Sequence, residues 1–127
     1  MAVVTESSIL IIDDSSTNIR LVSKMIEHLG HKIHIAKDGV QALKLLTKLK
    51  PSVILLDIQM PHMDGLEVCK RVRKFDANLP IIAVTANIFE ADIRTYLDAG
   101  FTAHLGKPID MSKLYRELKW HCLDNYL

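Results

Sequence analysis

Val53-Ile54-Leu55-Leu56-Asp57 is an unbroken apolar run closed by a carboxylate. A run with no alternating polar residue has no solvent face, so it predicts a strand buried on both sides. Comparable runs occupy residues 9–12, 33–36, 81–85 and, more weakly, 102–105. Between them, apolar residues recur at helical spacing. Ile19, Val22, Met25, Ile26 and Leu29 mark a first helix that Gly30 can end in a left-handed cap. Ala42, Leu43, Leu46 and Leu49 mark a second, stopped by Pro51. Leu66, Cys69 and Val72 form a third stripe that ends before Asn78 and Pro80, and Ile93, Tyr96 and Leu97 a fourth, closed by Gly100. Leu114, Leu118 and Cys122 form the last, with Asp110 as its N-cap. Five strands, each followed by a helix, predict an α/β fold: a parallel sheet with helices on both faces, since parallel neighbours need crossovers. Residues 1–7 read as an N-terminal tail and residues 8–127 as one domain.

Composition narrows the functional classes. The 127 residues are 49% hydrophobic and 24% charged, which suits one soluble domain. Sixteen basic against fifteen acidic residues leave a net charge of +1, an argument against direct nucleic-acid binding or membrane contact through bulk electrostatics. The two cysteines, Cys69 and Cys122, fall in helical stripes and read as packing groups. No apolar run approaches the ~20 residues of a membrane span, and the first residues lack the basic start of a signal peptide, so the expected location is cytoplasmic. His28, His31, His34 and His62 are scattered and read as solvent-facing.

In open α/β sheets, ligands bind beyond the carboxyl ends of the strands. There the first strand ends in Asp13 and Asp14, the third in Asp57 and the fourth in Thr85, while the fifth runs into Lys107 and Pro108. Three convergent carboxylates raise one another's proton affinity unless a cation sits among them. All-oxygen ligands suit Mg2+ or Mn2+, and no His or Cys cluster has zinc spacing. A phosphoryl group completes the set: metal and Lys107 neutralise its oxygens, Thr85 donates a hydrogen bond, and a carboxylate oxygen of Asp57 is the nucleophile. Taken singly, each residue has an ordinary reading. The Asp pair, or Ser15, Ser16 or Thr17, can cap a helix; Asp57 can sit in a turn, Thr85 in a strand, and Lys107 in a solvated loop. It is the conjunction at one sheet edge that those readings do not predict.

Four stretches resemble the receiver domain of two-component response regulators: residues 9–14 (ILIIDD), 57–65 (DIQMPHMDG), 84–86 (VTA) and 106–108 (GKP). The resemblance implies a three-layer flavodoxin-like (βα)5 fold of sheet order 2-1-3-4-5. It further implies that Asp57 accepts a phosphoryl group from a phosphohistidine on a histidine kinase or histidine phosphotransfer domain. Asp14, Asp57 and the backbone carbonyl of Gln59 would bind Mg2+ directly, and Asp13 through water. Thr85 and Lys107 would contact the phosphoryl oxygens, small Ala86 would keep Asp57 accessible, and Lys107-Pro108 would be cis. Gln59 and Asn87, each two residues past a site residue, would flank the attacking water and tune the phosphoryl lifetime. Phe89 and Tyr96 fall on the fourth helix, as core or as surface. The signal would leave through an α4-β5-α5 face to a protein target. One position departs from the pattern: where receivers carry Tyr or Phe three residues before the lysine, this chain has His104. Either a polar, titratable imidazole replaces the aromatic switch, or His104 is an ordinary surface residue.

The expected role is thus a phosphorylation-controlled switch, not a turnover enzyme, either standing alone or as the receiver portion of a hybrid histidine kinase, towards which Thr85-Ala86-Asn87 leans. A metal-dependent phosphatase or phosphotransferase with Asp57 as transient nucleophile is an alternative, weakened because Gln59 stands where enzymes of the haloacid dehalogenase type place a general acid. A fold that has kept its shape and lost phosphorylation is a third.

Overall fold

The computed structural model describes residues 8–122; the tail assigned to residues 1–7 and the last part of the domain, 123–127, lie outside the described residues. Strands and helices alternate: β1 (Ser8–Ile12), α1 (Ser16–His28), β2 (Lys32–Ala36), α2 (Gly39–Leu46), β3 (Val53–Asp57), α3 (Gly65–Arg73), β4 (Ile81–Thr85), α4 (Glu90–Ala99), β5 (Ala103–Gly106) and α5 (Met111–His121). All pairings are parallel and the order is β2-β1-β3-β4-β5. Each expected strand is present within one residue of its predicted bounds.

The two-residue period of a strand splits the core in two. Leu10, Ile12, Ile54, Leu56, Ile81 and Ala83 face α2, α3 and α4, meeting Ala42, Val68, Cys69, Val72, Tyr96 and Ala99. Ile9, Ile11, Val53, Leu55, Ile82 and Val84 face α1 and α5, meeting Ile19, Val22, Ile26, Leu114, Leu118 and Cys122. Each fully buried aliphatic side chain contributes about 1.5–3 kcal/mol. Both cysteines pack in these cores, and burial pushes the Cys69 thiol up to about 11.

Local chemistry caps the helices, at Asp110, Gly30 and Gly100 as the sequence predicts. Asp38, Asp64 and Asp110 accept from backbone amides of α2, α3 and α5. Gly30 and Gly100 follow α1 and α4 at φ +85° and +105°. Amide bonds and one arginine close the amino-terminal edge of the sheet. Ser52 N donates to Ser8 O, Thr102 N to Ile81 O, and Arg73 to the carbonyls of Gly100 (2.9 Å) and Asp76 (3.1 Å).

Four expectations are corrected. Burial on both faces holds for the central β1, β3 and β4, but β2 is an edge strand on which Lys32 and Ile35 are exposed. Helix α2 ends at Leu46, so Leu49 lies past it, its amide still bonded to Leu45 O. Leu97 points outward (58% exposed), because α4 turns Tyr96 and Ala99 to the sheet. His31 is buried (7% exposed) where the chain enters β2, and burial lowers its pKa. Among the described residues no helix is long and apolar enough to cross a membrane.

Candidate functional site

Backbone pairing continues one step past the strand ends and aligns the polar residues. Ile12 stands opposite both Ala36 and Leu56, and Asp57 opposite Val84. Beyond them, Asp13 N donates to Ala36 O, Ile58 N to Val84 O, and Lys107 N to Thr85 O. Asp13, Asp57, Thr85 and Lys107 therefore reach the same edge from four adjacent strands. Lys107-Pro108 is cis, as expected. Gly65 opens α3 directly under this edge, its amide donating to Ile58 O; a Cβ there would press on the Asp57 carbonyl oxygen and Ile58 Cα.

The Asp pair is free for chemistry because the cap is made elsewhere. Ser15 is the N-cap of α1, accepting from Asn18 N, while Asp13 Oδ1 accepts from Ser15 N at 2.8 Å. One carboxylate oxygen each of Asp13, Asp14 and Asp57 lies within 4.8 Å of the others. Asp13 and Asp57 are buried and Asp14 is exposed. Lys107 Nζ meets Asp57 Oδ1 at 2.9 Å, the only counter-charge among the described residues bonded to this cluster, and Gln59 N approaches the same oxygen at 3.3 Å. Burial is the largest force raising the Asp13 pKa; Asp57 and Asp14 add to it, while the Ser15 amide and Lys107 oppose it. One lysine thus leaves the cluster short of positive charge. The donor set, three carboxylates and backbone carbonyls, fits a hard divalent cation such as Mg2+.

Thr85 is 1% exposed at the end of β4. Its hydroxyl oxygen accepts from Asn87 N at 3.0 Å and pairs with the Tyr96 hydroxyl at 3.2 Å. The side chains of Gln59, Ala86 and Asn87 are exposed around the edge. His104 is also exposed, on the outermost strand β5, near Ile88, Lys107 and Lys113 in a shallow depression. Tyr96 is the residue that sequence reasoning did not connect with the site. Its helical spacing marks an apolar stripe, and nothing in that period distinguishes a phenol whose hydroxyl meets Thr85 from one facing solvent.

The family model for the response regulator receiver domain matches residues 9–119. The transcription factor SKN7 of Candida albicans is 35% identical over 116 residues, covering 91% of this chain and 21% of that protein. The sensor histidine kinase RcsC of Escherichia coli is 36% identical over 110 residues, covering 87% of this chain and 12% of that protein. The chain thus spans about a fifth or less of either. The receiver domain of the sensor histidine kinase PA1611 of Pseudomonas aeruginosa, solved with a magnesium ion coordinated in its active-site cleft, superposes with a TM-score of 0.83. It is 30% identical, and the match covers 91% of this chain and 97% of that one.

Proposed function

Because the chain belongs to the response regulator receiver domains of two-component systems, we propose that it is a switch thrown by phosphorylation of Asp57. The donor is a phosphohistidine on a histidine kinase or a histidine phosphotransfer domain. The observation that carries this reading is the 2.9 Å contact of Lys107 Nζ with Asp57 Oδ1 beside two further carboxylates. An Asp57 oxygen attacks phosphorus in line, the new P–O bond forms as the P–N bond breaks, and the imidazole leaves with the bonding electron pair. Lys107 follows the negative charge onto the phosphoryl oxygens, and the Thr85 proton is offered to one of them. Asp13, Asp14, Asp57 and the Gln59 carbonyl would hold Mg2+, or Mn2+ by the same oxygen chemistry; the ion supplies the positive charge that one lysine cannot. Ala86 leaves the acceptor open, and the exposed Gln59 and Asn87 border the approach of water that ends the phosphorylated state.

The chain is no turnover enzyme in this reading, since Gln59 supplies no proton to a leaving group. Its product is its own second conformation, read by a protein partner through α4, β5 and α5, where Leu97, Tyr115 and Trp120 are exposed. Incubation with Mg2+ and acetyl phosphate, followed by intact mass measurement, tests this. One added phosphoryl mass is expected, absent in Asp57→Asn and absent when EDTA replaces Mg2+. Equal labelling of Asp57→Asn, or no labelling of the wild type, overturns it.

A further inference from the structure

Thr85 has one proton, and the hydrogen bonds around it show where that proton goes. The Tyr96 hydroxyl donates its own single proton to Asn87 O at 2.7 Å. In the 3.2 Å contact between the two hydroxyls, Tyr96 is therefore the acceptor and Thr85 the donor. The remaining contact of the Thr85 oxygen, from Asn87 N, is one it accepts. Both side chains are sealed from water, at 1% and 4% exposure, so no solvent molecule can stand in for a lost partner. The Tyr96 ring is held in place edge-on against Phe101, with centroids 6.1 Å apart.

We propose that Tyr96 is a positioning residue that keeps Thr85 turned away from Asp57: its phenolic oxygen accepts the hydrogen bond of the Thr85 hydroxyl in the unphosphorylated protein and loses it when a phosphoryl group claims it. This rests on the switch reading of Asp57 given above. A hydroxyl points its single proton in one direction at a time, so Tyr96 and the phosphoryl group compete for Thr85. The competition ties the chemistry to α4, because Tyr96 is the buried neighbour of the exposed Leu97 and shares its bonding with the loop at Asn87. It also places an aromatic at Thr85 from the helix, while position 104, on the strand, carries an exposed His.

Beryllofluoride with Mg2+, a stable mimic of a phosphoryl group on a carboxylate, is titrated into the wild type, Tyr96→Phe, Thr85→Ala and the double variant, with binding followed by calorimetry. Tyr96→Phe keeps the ring and deletes the competing acceptor. It should bind roughly two- to tenfold more tightly than the wild type, the worth of one hydrogen bond. In the Thr85→Ala background the same change should have no effect, whereas a purely structural role of Tyr96 would be felt in both backgrounds. Unchanged or weaker binding by Tyr96→Phe, or an equal gain in both backgrounds, overturns the proposal. A folded wild type that binds no beryllofluoride overturns the switch reading and this inference with it. A measurement without variants guards against misfolding: saturating beryllofluoride should shift the Tyr96 ring resonances of the wild type, and an unmoved spectrum would sink the idea.

Discussion

The two edges of the sheet bury polar groups on opposite terms. At the amino edge, His31 is buried and its pKa is lowered, so burial is relieved by shedding charge. The neighbouring turns there are fastened by amide bonds and by the Arg73 clasp on Gly100 and Asp76. At the carboxyl edge, Asp13 and Asp57 are buried as a like-charged pair and Thr85 is sealed beside them, with Lys107 as the counter-charge. Parallel strands explain the asymmetry. Every strand enters at one edge and leaves at the other, so all groups that end strands converge at the second edge. Buried like charges cost stability and persist where a cation completes them.

The sharpest way to break this contrast is to remove the counter-charge. Lys107→Ala should slow phosphorylation by acetyl phosphate roughly a hundredfold, the usual loss when one charge-stabilising donor is deleted from a reacting centre. Labelling at the wild-type rate, followed by mass against time, would mean that this edge is not organised for phosphoryl chemistry. A matched pair of glycine variants comes next. Gly65→Ala, at the carboxyl edge, forces a methyl onto the backbone of Asp57 and Ile58 and should cost about 2–3 kcal/mol in urea unfolding while also slowing phosphorylation. Gly100→Ala, at the amino edge, meets the flexible Arg73 side chain at φ +105°. It should cost about 1 kcal/mol and leave phosphorylation unchanged. Equal effects on phosphorylation would erase the distinction between the edges.

The smallest effect belongs to His31. Burial lowers its folded-state pKa below the ordinary 6.5, so the unfolded chain takes up a proton that the folded one refuses. The resulting loss of stability is absent well above pH 6.5, grows as pH falls through 6.5, and levels off below the folded pKa. His31→Gln should flatten that part of the stability profile; an unaltered slope in urea midpoints below pH 6.5 would show that the imidazole does not titrate with folding.

Much of this molecule is legible in its sequence because strands in a parallel sheet leave little choice. The continuous runs before Asp13, Asp57 and Thr85 require burial, and the sheet then aligns whatever follows each run at one edge. Cap residues such as Asp110 and Gly100 act on their immediate neighbours, so they too are readable one turn at a time. The misreadings share a different cause. His31 against a solvent position, Leu97 against a core position and the exposed face of β2 each depend on which elements pack alongside, and periodicity names a stripe without saying what covers it.

Short segments of the chain carry the alternation of strand and helix, the five residues Asp13, Asp14, Asp57, Thr85 and Lys107 at or just past the strand ends, and the glycine stops of α1 and α4. It took the packing of whole elements to bring Lys107 to Asp57 across 50 residues of chain and to land the Tyr96 hydroxyl on Thr85. Hydrogen bonds and charge contacts act over about 3 Å. The docking of a whole helix or strand fixes which atoms come that close, and no local pattern in the chain records the docking.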